Sequence, residues 1–175
     1  MMKIVGEILS LLAALTLAYS TFSKKKTKMM FWQASNALLF GLSNFCLAGY
    51  SAVVTSALTF IRNVLVVKNK LNKKITFILC ALMIGFGLYV NNNGVIGLFP
   101  IIASVQYTIC VFALKSPQNL RWSLLAYLVQ WEVFNFAVDA YPVFIMDIVI
   151  IIVTIINIIR FRKSAKESIS SDLNT

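Results

Sequence analysis

Residues Arg121–Tyr141 read RWSLLAYLVQWEVFNFAVDAY, and residues Phe31–Tyr50 read FWQASNALLFGLSNFCLAGY. Asn44-Phe45 and Asn135-Phe136 are 91 positions apart, and so are Tyr50 and Tyr141. Further on, Ile61-Arg62-Asn63 is answered by Ile155-Ile156-Asn157, with Asn63 and Asn157 94 positions apart. Order-preserving similarity at a fixed offset is the mark of an internal repeat. Chance similarity between apolar helices remains the other explanation at this point. Each stretch is also an apolar run of about the 20 residues that a helix needs to cross a bilayer.

Seven such runs follow one another: Ile4–Phe22, Met29–Leu47, Tyr50–Lys68, Ile75–Val90, Val95–Leu114, Leu120–Val138 and Pro142–Arg160. The fourth is short and must stand upright or thin the bilayer locally. Strands of a membrane barrel would need alternating polarity, which these runs lack. If the repeat is real, runs one to three and five to seven are two three-helix bundles crossing in the same direction. An odd number of helices per bundle then requires one extra crossing between them, and the fourth run supplies it. The expected fold is an all-α membrane protein: seven transmembrane helices as two parallel three-helix bundles joined by a linker helix. The boundaries are 1–70 for the first bundle, 71–94 for the linker, 95–162 for the second bundle and 163–175 for a disordered cytoplasmic tail.

Composition points to the same solvent. The chain has 175 residues, 59% hydrophobic and 13% charged, with a mean hydropathy of +0.83. A soluble domain is about half apolar and about a quarter charged. Disordered chains, collagen-like fibres and ordinary cytosolic enzymes are excluded. The net charge of +10, from 16 Lys+Arg against 6 Asp+Glu, would suggest nucleic acid in a soluble protein. Here the positives sit in short clusters between apolar runs, so no nucleic-acid partner is expected. Cys46, Cys80 and Cys110 lie in or beside apolar runs without metal spacing, and the chain has no histidine. No catalytic residue, metal or cofactor is expected.

The clusters also orient the chain. Lys24, Lys25, Lys26 and Lys28, Lys68, Lys70, Lys73 and Lys74, Lys115 and Arg121, and Arg160, Arg162, Lys163 and Lys166 all fall on one face. The connections Ala48-Gly49, Asn91–Gly94 and Asp139–Tyr141 carry no positive charge, and only Lys3 lies on their face. By the positive-inside rule the N-terminus is outside and the C-terminus cytoplasmic, in a bacterial plasma membrane. The first run has Glu7 within it and its positive cluster behind it, the wrong polarity for a cleaved signal peptide.

Lipid offers no hydrogen bonds, so polar side chains should face other helices or a wet cavity. Their spacing agrees with helical stripes. Gln33, Asn36 and Asn44 share one face, as do Ser51, Thr55, Thr59 and Arg62-Asn63. So do Gly97, Pro100, Ser104 and Tyr107; Ser123, Tyr127 and Gln130; and Asp147, Thr154 and Asn157. Interhelical hydrogen bonding explains any one stripe; five together favour a shared polar interior. Glu7, placed near the outer end of its run, reaches headgroups on the simplest reading. Glu132, Asp147 and Arg62 lie deeper. Arg62 sits about 9 Å further in than Asp147 at about 1.5 Å per residue, a gap an extended arginine can largely cover. An Arg62–Asp147 pair, direct or through water, is expected. Pro100, five residues into its run, is read as a hinge or as a fixed packing kink.

Trp32 through Lys70, and Phe99-Pro100 through Phe161, resemble the YgjV-type bacterial inner-membrane proteins. The most specific pieces are Ile61-Arg62, Trp131 with Asn135-Phe136, and Asn157-Ile158-Ile159-Arg160-Phe161. Asp147 matches an acid in that family, and Thr59 stands where an amide is usual. The resemblance implies membership of the MtN3-like superfamily with the SWEET facilitators, Pnu carriers and PQ-loop proteins. It therefore implies a three-plus-one-plus-three fold and solute movement between two bundles, and it implies no substrate.

The functional expectation is a transporter or facilitator of a small polar solute, working by alternating access. Asn36, Thr59, Arg62, Asn63, Gln130, Trp131, Glu132, Asn135, Asp147, Thr154 and Asn157 are the expected pathway residues, with Pro100 as hinge. The alternative is a non-transporting receptor or assembly partner with a closed polar core. An intramembrane enzyme would need a nucleophile–base pair or a metal set beside Glu132 and Asp147, and none is present. The partners expected are the lipid bilayer and an unidentified solute, with homo-oligomerisation open.

Overall fold

The computed structural model describes residues 2–46, 50–91, 93–139 and 141–172. They form seven α-helices: α1 Met2–Ser20, α2 Lys26–Cys46, α3 Tyr50–Val67, α4 Lys73–Tyr89, α5 Leu98–Ala113, α6 Pro117–Ala137 and α7 Tyr141–Asp172. No strand occurs among the described residues. The expected Ala48-Gly49 connection lies outside them, as do Asn92, Ala140 and residues 173–175.

Local chemistry sets the helix ends. Asn69, at φ 53°, ends α3, and the Lys70 N–H returns to the Leu65 carbonyl at 2.8 Å. Asparagine tolerates this left-handed position better than most residues. Asn72 caps α4 by accepting from the Ile75 N–H at 2.9 Å. Ser116 caps α6 by accepting from the Gln118 N–H at 3.2 Å, and Pro117 opens the first turn. The Asn91 side chain holds the turn before α5, donating to the Gly94 carbonyl and accepting from the Asn93 N–H. That turn delays α5 to Leu98, so Pro100 falls in the first helical turn. Its missing N–H would have no intrahelical partner there, and no kink is required. The stretch Lys163–Asp172, expected as a disordered tail, continues α7 as helix. Lys, Ala and Glu propagate a helix already nucleated at low cost.

Consecutive helices pack side by side. α2 lies between α1 and α3, and α6 lies between α5 and α7. The ring is closed by α1 against α7 and α3 against α5, while α4 packs on α5 and more lightly on α3. Gly87 of α4 permits that approach: a Cβ there would lie 2.6 Å from Ile101 Cγ1.

The outer surface is apolar, with Ile4, Leu15, Phe77, Ile102, Phe136 and Ile159 all exposed. Water would not tolerate so continuous a patch. α1 and the Val143–Lys163 part of α7 are long and apolar enough to cross a membrane. The other helices, expected as spans, are shorter or more polar; α2, for example, begins in Lys26–Lys28 and carries Gln33, Asn36 and Asn44. The largest buried cluster sits toward the lysine-bearing end, where Met29, Met30, Val66, Val111, Leu120 and Leu124 meet at 0–8% exposure.

Replacing Gly87 by leucine should destabilise the bundle by about 1–3 kcal/mol through overpacking. Thermal unfolding in micelles should show the loss, and Ile101→Ala in the same chain should recover part of it.

Candidate functional site

At the end opposite the lysines, the helices part around a cavity of about 670 Å³. Every helix except α4 contributes to its wall. α1 brings Glu7 and Ser10, α2 Asn36 and Asn44, α3 Thr55, Ser56 and Thr59, and α5 Ser104. α6 adds Tyr127, Trp131 and Asn135, and α7 adds Met146 and Asp147. Ala14, Leu17, Tyr127, Leu128 and Ile150 form its floor, since they also belong to or pack against the buried cluster below.

Of the pathway residues expected from sequence, Asn36, Thr59, Trp131, Asn135 and Asp147 line this cavity. Asn36 also donates to the Ala13 carbonyl of α1 at 2.8 Å. Asn135 Nδ2 lies 3.2 Å from Glu132 Oε1 and 3.5 Å from Asp147 Oδ2, so one amide bridges two acids. Glu132 itself is buried behind the wall, its carboxyl held by Asn135 and close to the Asp147 carboxyl. Gln130 turns aside to Gln106 Oε1, at 3.0 Å. Thr154 and Asn157 lie deeper, fully buried; Thr154 bonds back to the Ile150 carbonyl and Asn157 donates to Thr21 Oγ1.

The expected Arg62–Asp147 pair is not formed as a direct ion pair. Arg62 is buried, donates to Thr108 Oγ1 at 3.0 Å and Asn63 Oδ1 at 3.1 Å, and lies over the Tyr107 ring at 5.0 Å. α5 stands beside α3, so the guanidinium meets Thr108 and Tyr107 first, while Asp147 faces Asn135 across the α6–α7 contact. Tyr107 in turn donates to Gln33 Oε1 at 2.9 Å. The stripes of α2, α3 and α7 are therefore divided: Asn36, Asn44, Thr55, Thr59 and Asp147 line the cavity, while Gln33, Arg62, Asn63, Thr154 and Asn157 are buried away from it.

Sequence reasoning left Glu7 and Ser10 out of the site. They stand on α1 without a polar stripe, and only the packing of α1 against α2 and α7 brings them in. Asn44, Thr55, Ser104 and Tyr127 were on recognised stripes; Ser56 was on none. No group of three or more Cys, Asp or Glu side chains among the described residues could hold a metal.

The opposite end is closed by two reciprocal contacts. Lys26, opening α2, donates to the Val111 and Leu114 carbonyls at the end of α5. Arg121, in the second turn of α6, donates to the Thr21 and Ser23 carbonyls after α1, at 2.7 and 2.8 Å. Its Nη1 reaches Gln118 at 2.8 Å and its guanidinium lies 4.0 Å over Phe161. Cations at helix C-termini meet carbonyls that have no helical partner. Arg121 is only 2% exposed. Burial lowers the pKa of the Lys26 ammonium, so its contact loses charge at lower pH than a surface lysine's would.

A family model described as a bacterial inner membrane protein, Imp-YgjV, matches residues 4–165. The chain belongs to this family. Its place is therefore the bacterial inner membrane, in keeping with the apolar surface of the bundle. No curated protein and no solved structure matches the chain.

Arg121→Lys keeps the charge of this Imp-YgjV protein but cannot span both carbonyls and Gln118. It should lower stability by about 1.5–3 kcal/mol, read as an earlier unfolding midpoint in detergent or nanodiscs. Arg121→Ala should lower it further.

Proposed function

We propose that this protein moves a small polar solute across the inner membrane by alternating access between two three-helix bundles, α1–α3 and α5–α7, with α4 as linker. The carrying observation is the cavity: all six helices of the two groups line it, α4 does not, and it is shut at one end only. The packing supports a two-fold relation. α1 on α2 corresponds to α5 on α6, α2 on α3 to α6 on α7, and α1 on α7 to α5 on α3. The reciprocal contacts of Lys26 and Arg121 follow the same exchange. By the positive-inside rule the lysine-bearing end faces the cytoplasm, so the present form opens outward. Breaking the cation–carbonyl contacts while the outer ends of the bundles approach would expose the site inward.

The interhelical bonds of Gln33, Asn36 and Ser43 favour a second reading, a receptor or assembly partner whose polar residues only hold helices together. Cysteine accessibility separates the two. With Cys46, Cys80 and Cys110 replaced, Thr59→Cys should react with an impermeant thiol reagent added outside. Thr154→Cys should be protected in that background and become reactive from the cytoplasmic side when Arg121→Ala is added. Protection of both positions under all conditions would favour the closed core.

A further inference from the structure

We propose that the cavity takes an organic cation whose nitrogen carries N–H donors: a small protonated amine. The inference rests on the reading of the cavity as a solute site and names the solute's chemistry.

The first observation is the sign of the charge. The chain carries 16 Lys+Arg and 6 Asp+Glu, yet Glu7 and Asp147 line the cavity and, among the described residues, no lysine or arginine does. A third acid, Glu132, stands behind Asp147 through the shared Asn135 amide. Arg62 does not neutralise them; it is held beneath the floor by Thr108 and Asn63. A site with acids and no base must balance its charge with a proton or a cation.

The second observation is independent of charge. Three asparagines line the cavity, and each directs at least one amide N–H to a neighbour within the protein. Asn36 donates to the Ala13 carbonyl and Asn44 to the Phe40 carbonyl, both at 2.8 Å. Asn135 donates toward Glu132 and Asp147. A backbone carbonyl only accepts, so these partners fix which end of the Asn36 and Asn44 amides is nitrogen. The amide oxygens of Asn36 and Asn44 are left as acceptors for a ligand, beside one remaining N–H on each. With the Glu7 and Asp147 carboxyls, these oxygens give the wall several acceptors for a ligand's donors.

The third is the aromatic lining. Phe40, Tyr127 and Trp131 face the space, and Tyr127 and Trp131 lie 6.2 Å apart with rings tilted to each other. Aromatic faces attract cations by about 0.5–2 kcal/mol each, according to desolvation. An anion would meet two acidic side chains with no base, and a neutral polyol would bring no charge to the acids or to the aromatic faces.

Three four-carbon probes of similar length and different charge test this: 1,4-diaminobutane, butane-1,4-diol and succinate, at pH 7 and matched ionic strength. The full chain is held in lipid nanodiscs, with Trp32→Phe and Trp122→Phe so that Trp131 alone reports. Diaminobutane should raise the unfolding midpoint and shift Trp131 emission, and the diol and succinate should do neither. Asp147→Asn should weaken diaminobutane about tenfold or more, while Asp147→Glu, keeping the charge, should retain most binding and show that the site is folded. Equal response to the diol or succinate, no response to diaminobutane, or binding indifferent to Asp147→Asn would overturn the proposal. Counterflow in proteoliposomes keeps the two readings apart. Binding of diaminobutane without counterflow contradicts transport but not the ligand class; counterflow of the diol at the diamine's rate contradicts the class but not transport.

Discussion

The carbonyls that end α1 and α5 are satisfied by cations from the opposite group of helices. Arg121 reaches Thr21 and Ser23, and Lys26 reaches Val111 and Leu114. In lipid or in a packed core an orphan carbonyl is costly, so neither helix end is complete alone. The contacts thus tie α1–α3 to α5–α7 at one end of the bundle. The largest buried apolar cluster gathers there, and the polar space opens at the other end. Asn157 on Thr21 and Gln118 on the Ile158 carbonyl bring α7 into the same junction.

This arrangement explains how the bundle tolerates Arg62. The guanidinium makes no ion pair among the described residues, but a hydroxyl, an amide and an aromatic face surround it. A buried cation so held is stable only while α3 and α5 stay together. The floor beneath the cavity therefore has a polar lock of its own, through Thr108, Tyr107 and Gln33.

Seven helices were legible from run length, and the stripes from a period of about 3.6. Asn36, Thr59 and Asp147, which stand on stripes, and Trp131 and Asn135, which do not, line the cavity because they lie where the helices part. Arg62, Asn63, Thr154 and Asn157 belong to the same stripes, but periodicity gives a face and not a depth. Which part of a stripe is wet depends on where the helices part. Arg62 chose Thr108 over Asp147 because helix rotation, invisible in one sequence, set α5 beside it. Glu7 and Ser10 escaped because α1 has no polar period. The roles of Lys26 and Arg121 escaped for a different reason. Their partners are backbone carbonyls, which every residue has and no side chain marks, so the two cations read only as part of the orienting charge.

The most direct measurement is a pair of spin-label distances by pulsed electron paramagnetic resonance in nanodiscs. One pair, Lys28 with Asn119, spans the lysine-bearing end, and the other, Leu42 with Val133, spans the cavity end; each joins exposed positions 91 residues apart. If the cation–carbonyl contacts hold the cavity open, Arg121→Ala should lengthen or broaden the first distance and shorten the second. Two distances that stay single and unmoved, or that change independently, would contradict the account.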